Sequence, residues 1–264
     1  MGNLILTGVF IFIVAASMTM VGKGGGNFYV VILTISGIPM HEAAATGQFI
    51  LFSASVAAMM IFQKNKSISW TLALLTGSLT AVAALCGGYF SHLFSGFMLK
   101  LIFAFMLFAA GILMLIPVSA KGSSIGNNKF GRIKIRSGQD IFRVNLFIAL
   151  PITVLTGFGA GMVGVSGGSF LVPLMVLACG VSMHTAVGTA SALIATTALM
   201  GCIGHAVQGD FNPSWAVPLA AVTIMGGILG GKFALNSKPD YLKKLFAYTN
   251  WIAAFFMLFN ALQS

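Results

Sequence analysis

Two stretches of this chain carry chemistry out of keeping with their apolar surroundings. They read Val21-Gly22-Lys23-Gly24-Gly25-Gly26-Asn27-Phe28 and Val163-Gly164-Val165-Ser166-Gly167-Gly168-Ser169-Phe170. Each glycine costs a helix roughly 0.8–1 kcal/mol relative to alanine, so neither run is expected to continue a helix. A break leaves N–H groups unpaired at the start of the next helix, where the dipole favours an anion. Gly24, Gly25, Gly26 and Asn27 in the first run, and Ser166, Gly167, Gly168 and Ser169 in the second, are therefore candidate ligands for a small oxyanion. Asn27 and Ser169 add side-chain donors or caps. Lys23 places a cation inside the first run where the second has Val165. An ionisable residue in such a place is a functional candidate; the plainer alternative is a lysine snorkelling to the interface.

Further candidates follow each run. Thr46, Gln48, Thr189 and Ser191 lie about one turn into the next long apolar segments. They could face a cavity or merely bond their own backbone. His41 and His184 occupy equivalent positions at the starts of those segments and could titrate or bond substrate. Glu42 could pair with Lys23 or carry a proton, although a helix dipole alone explains an acid in a first turn. These three are candidates for coupling or gating. A second chemistry is also written here: Gly164-Val165-Ser166-Gly167 fits a G-x-S-G pattern, with His184 or His205 as a base, as in an intramembrane serine protease. Against it, the first run has Gly24 where Ser166 stands. Cys86, Cys179 and Cys202 lie in apolar runs without metal-ligand spacing, so neither metal nor cofactor is expected. Asn250 and Asn260 read as helix-packing residues.

The elements that must position these groups are membrane helices. Of 264 residues, 58% are hydrophobic and 7% charged, which leaves almost nothing for an aqueous domain. Residues 1–22, 43–63, 67–99, 101–120, 144–209, 211–231 and 245–264 contain no Asp, Glu, Lys or Arg, and a span needs about 20 apolar residues. The net charge of +10 is spread over loops and forms no stripe interleaved with aromatics, so nucleic acid is not an expected partner. The glycine runs belong to an internal repeat. Gly37-Ile38-Pro39-Met40-His41 returns as Gly180-Val181-Ser182-Met183-His184, and Gly87-Gly88 as Gly230-Gly231. The segments 4–21, 27–37 (short), 43–62, 68–90 and 97–116 match 144–162, 169–180 (short), 184–205, 214–234 and 245–262. The expected fold is all-α and polytopic, with about eight long and two short membrane segments. Its units are a first repeat (1–118), a basic linker (119–143) and a second repeat (144–264).

The linker carries Lys121, Lys129, Arg132, Lys134, Arg136 and Arg143 against Asp140 and is expected on the cytoplasmic side. Lys64 and Lys66 fall on that side too, but in the second half the basic loop is the one with Lys238, Lys243 and Lys244. This shift predicts repeats of opposite orientation, with both termini outside. Each first long segment and the short one after it then contribute an even number of crossings. They either both cross or form a re-entrant pair.

Gly22-Lys23-Gly24-Gly25-Gly26, Gly164-Val165-Ser166-Gly167-Gly168 with Val172-Pro173, and His184-Thr185-Ala186-Val187-Gly188-Thr189 together resemble the sulfite exporter TauE/SafE family. The resemblance covers essentially the whole chain. It implies a carrier in the inner membrane that moves sulfite or a small organosulfonate such as sulfoacetate, usually outward. The first copy departs from the second at Lys23 and at Val31, which stands where the other has Pro173. The expected mechanism is alternating access by movement of one half against the other, with a coupling proton or other ion, or alternatively an anion channel. The partners are then a small sulfur-containing anion and the bilayer.

Overall fold

The computed structural model describes residues 2–115, 132–137, 140–165, 167–178 and 181–262. The first half forms α1 (Gly2–Met20), α2 (Gly26–Ile35), α3 (Met40–Lys64), α4 (Trp70–Phe90), a 3-10 turn (Ser91–Leu93) and α5 (Gly96–Leu115). The second half forms α6 (Leu146–Val163), α7 (Gly168–Ala178), α8 (Met183–Val207), α9 (Pro213–Asn236) and α10 (Pro239–Leu262). Among the described residues eight helices are thus long and two short. Six of them (α3, α4, α5, α8, α9 and α10, the α4 span taken through Leu93) are long and apolar enough to cross a membrane. The linker region adds an antiparallel hairpin, β1 (Arg132–Ser137) with β2 (Asp140–Asn145), in which Ile135 pairs with Phe142. Alternation of Ile133 and Ile135 with Lys134 and Arg136 is the two-residue period that suits a strand.

Helix packing interleaves the two halves. Contacts order six helices into a row α6–α4–α8–α3–α9–α1, in which members of the second and first half alternate. The α5–α10 pair forms a separate body. Between it and the row lie the short helices, α2 against α3 and α10, α7 against α8 and α5. The halves are therefore not two bodies lying side by side.

Small residues make this close packing possible. Gly87 of α4 faces the Phe158 carbonyl of α6, and Gly230 of α9 faces the Ala16 carbonyl of α1, the same contact in repeat-equivalent positions. Gly157 on Thr80 and Ala83 likewise mirrors Gly226 on Ala15 and Ala16. A methyl group at these glycines would enter the facing backbone, so the spacing of the row depends on them.

The same contacts give helix directions. Gly8 lies near Leu219 and Thr19 near Gly230, so α1 runs parallel to α9. Gly227 lies on Ala54, Gly231 on Ala58 and Ile61, and Thr223 Oγ1 donates to the Ile50 carbonyl, so α9 runs parallel to α3. Helices α1 and α3 thus point the same way, and the ten-residue α2, about 15 Å long, must return between them. Val30 abuts Gly47 while Gly24 abuts Leu51 and Ser55, placing the first break against the middle turns of α3. In the second half α6 parallels α4 (Gly157 on Thr80, Gly161 on Ala84) and α4 parallels α8 (Gly77 on Leu193, Gly88 on Gly201). Both glycine breaks are tips of re-entrant pairs.

Candidate functional site

The two tips meet at the centre of the molecule. Gly22 and Gly164 have φ of +79° and +82°, a conformation in which a Cβ is strained. Gly22 rests on the Val187 backbone of α8 and Gly164 on the Ala44 backbone of α3, again repeat-equivalent contacts. The Gly22 carbonyl lies 2.7 Å from where a Cβ on Gly168 would project. Tyr29, fully buried, donates to the Gly24 carbonyl at 2.8 Å and closes the first loop over Gly25. Among the described residues, the N–H groups of Gly24, Gly25 and Gly26 donate to no backbone carbonyl. The tip therefore presents donors into the protein interior.

Beside this tip is a narrow cavity lined by Thr19, Gly22, Gly24, Ser55, Ala58, Ser191 and Ile194, closed too tightly in this structure to admit a water-sized guest. Among the described residues the buried hydroxyls of Thr19 and Ser55 have no partner, and Ser191 donates to the Gly188 carbonyl at 2.6 Å. Unpaired buried hydroxyls are costly, and these two border one cavity.

Lys23 points the other way, toward α10. It is 0% exposed, which excludes the snorkelling alternative. Its ammonium donates to the Phe246 carbonyl, to Thr249 Oγ1 at 2.9 Å and to Asn250 Oδ1 at 2.7 Å, and lies 4.0 Å above the Phe246 ring. Asn27 Nδ2 donates to Asn250 Oδ1 at 3.0 Å and to Ser169 Oγ at 2.9 Å. One polar network thus joins both tips to α10. Every acceptor of Lys23 is neutral, and among the described residues it makes no ion pair.

The other candidates separate. Gly168 packs on Ile194 and the Gly22 carbonyl, and Gly167 lies near Leu171 and Thr197. Gln48 donates from Nε2 to the Ala160 carbonyl at 2.9 Å and lies against Gly201, beside the second tip. Thr46 is buried with its hydroxyl unpaired. Thr189 accepts from the Ser69 N–H at the start of α4 and is part of a helix junction away from the cavity. Glu42 does not pair with Lys23; it accepts from Asn212 Nδ2 at 2.8 Å. His184 donates to the Ser237 carbonyl at 2.9 Å. His41 stacks on His92 at the opposite end of the molecule, because α3 and α8 are antiparallel. That direction follows from Gly201 meeting Gln48 while Ala58 and Ser191 share the cavity. Ser166 and Cys179 lie outside the described residues.

Sequence reading missed four residues of the centre. Thr249 and Asn250 are a polar pair near the middle of α10, and Asn250, read as packing, is a hub of the network. Thr19 and Ser55 gave no signal beyond a hydroxyl in an apolar run.

A row of apolar helices interrupted by two central re-entrant tips, with a narrow cavity at the first, is an architecture suited to a polytopic membrane transporter. The comparisons carry this one level further. The family model described as "Sulfite exporter TauE/SafE" matches residues 6–257, and the chain belongs to that family. It is similar to the probable membrane transporter protein YunE of Bacillus subtilis, at 25% identity over 83% of this chain and 84% of that protein. It is also similar to the probable membrane transporter protein YdhB of the same organism, at 23% identity over 94% and 97%. A third relative is the probable membrane transporter protein MJ0441 of Methanocaldococcus jannaschii, at 26% identity over 94% and 92%. No solved structure matches the chain. Membership of a transporter family sets aside the protease alternative.

Proposed function

We propose that the chain is a secondary carrier that moves sulfite, or a small organosulfonate presenting the same oxyanion, through the central cavity. The observation that carries this is the polar lining of the first tip: among the described residues the hydroxyls of Thr19 and Ser55 have no partner and the neighbouring glycine N–H groups have no backbone acceptor, and the closed cavity between them must widen for an anion to enter. These are donors for an oxyanion in a water-poor interior, where each hydrogen bond is electrostatically stronger than in water. Lys23 acts from behind the tip. Among the described residues its charge has no carboxylate partner, and it favours an anion at a distance through a low-dielectric medium.

The repeats are of inverted topology in this reading, supported by the antiparallel run of the equivalent helices α3 and α8. The termini lie outside, and the basic linker faces the cytoplasm across the inner membrane. Movement of one sequence half against the other would shear every interface of the interleaved row. The moving bodies are instead the row and the α5–α10 pair, with α2, α7 and the Lys23–Asn250 contacts at their boundary. Transport direction in the cell is outward, as the family description names it.

The test is uptake of radiolabelled sulfite into proteoliposomes, with and without a pH gradient, competed by sulfoacetate, thiosulfate, sulfate and acetate. Saturable uptake blocked by sulfur oxyanions and not by acetate is expected, and its response to the gradient reports proton coupling. Uptake that fails to saturate, without exchange of labelled for unlabelled anion, identifies a channel. No uptake above empty liposomes rejects the substrate.

A further inference from the structure

Away from the cavity, at the end of the molecule where α3 begins, four elements bring imidazoles and carboxylates together. His41 comes from the start of α3, His92 from the 3-10 turn after α4, His205 from the end of α8 and Asp210 from the loop before α9. The rings of His41 and His92 stack with centroids 4.7 Å apart and planes within 6°. His92 Nε2 lies 2.9 Å from Asp210 Oδ2. One nitrogen from each of these two rings and one oxygen of Asp210 all fall within 4.8 Å of one another.

We infer that His41, His92 and Asp210 form a binding site for a borderline divalent metal ion of the zinc type. Two imidazoles and one carboxylate are donors that zinc, cobalt or nickel accept and that calcium or magnesium do not favour. Bringing three atoms within 4.8 Å to bonds of about 2.1 Å needs adjustments of the order of 1 Å. The site is also supported from behind. His205 Nε2 donates to the Gly161 carbonyl at 2.9 Å, leaving Nδ1 facing Asp210 Oδ2 at 3.4 Å and Ser91 Oγ at 3.3 Å. Burial works against ionisation of Asp210, but its hydrogen bond to His205 and the neighbouring His92 and His205 hold its carboxyl below the ordinary aspartate value. Asn212 ties the same loop to α3 through Glu42. The His92 side chain is 42% exposed, which gives an ion access from solvent. At the other end of the molecule the equivalent His184 bonds a backbone carbonyl instead.

A bound ion links α3, the turn after α4 and the α8–α9 loop, elements of both halves. The experiment is calorimetric titration of zinc chloride into the full-length protein in detergent, freed of any polyhistidine tag. One zinc per chain is expected, with affinity reduced about tenfold or more in both His92→Gln and Asp210→Asn and unchanged in His184→Gln. Zinc also raises the melting temperature of the parent protein and not of His92→Gln, a half-exposed position whose change leaves folding without zinc intact. Absence of saturable binding, equal affinity in His92→Gln, or equal weakening in His184→Gln overturns the assignment. None of these readings depends on which anion is transported.

Discussion

At the first tip, Gly22 and Gly24 face a cavity furnished with the hydroxyls of Thr19, Ser55 and Ser191. At the second, the repeat-equivalent positions are Gly161, Ala198 and Gln48, and the Gln48 amide reaches across to the Ala160 carbonyl and Gly201. The backbones match, down to positive φ at Gly22 and Gly164, but one side holds a polar cavity and a buried lysine while the other holds an amide and Val165. Duplication supplied a symmetric frame. Side-chain choice then made the two tips chemically different.

Four substitutions break or sharpen that contrast. The largest effect is expected from Gly24→Val. Gly24 has φ +66°, and a Cβ there lies 2.6 Å from Leu51 Cδ1 and 2.8 Å from Ser55 Oγ, so a β-branched residue is strained and fills the cavity. Sulfite uptake should vanish, whereas Gly167→Ala, with its nearest neighbour at 3.4 Å, should retain most of it. Next is Lys23→Met, which removes the buried charge and leaves its α10 acceptors unpaired. Uptake is expected to fall by about a hundredfold, equivalent to about 2.8 kcal/mol, while Val165→Met is nearly silent. Ser55→Ala should raise KM by about tenfold with unchanged expression, and Ala198→Ser on the other side should leave KM alone. The smallest functional change belongs to Gln48→Ser. It should shift KM by less than about twofold yet lower thermal stability, by about 1–3 kcal/mol, through the orphaned Ala160 carbonyl and the space left behind.

Most of the frame was legible because apolar run length and glycine spacing are local properties. Helix α3 was expected over 43–62 and spans Met40–Lys64, and α7 was expected over 169–180 and spans Gly168–Ala178. Whether α1 and α2 cross or return was not legible, since hydropathy carries no depth; the answer lies in contacts between α1 and α9. The linker hairpin was hidden because the basic residues between its isoleucines dominate the reading. Asn250 escaped because its partners Lys23 and Asn27 are more than 220 residues away. The cluster of His41, His92 and Asp210 was not legible because the three converge from separate elements.

The alternation α6–α4–α8–α3–α9–α1 has a consequence for biogenesis. When α1–α5 have left the ribosome and entered the bilayer, the small-residue faces around Gly87 and Ala54 still lack their partners on α6 and α9. Only synthesis of the second half supplies them. The first half must wait as an open, loosely associated set of helices, and the two halves made as separate polypeptides should accumulate only when produced together, each acting as the other's assembly partner.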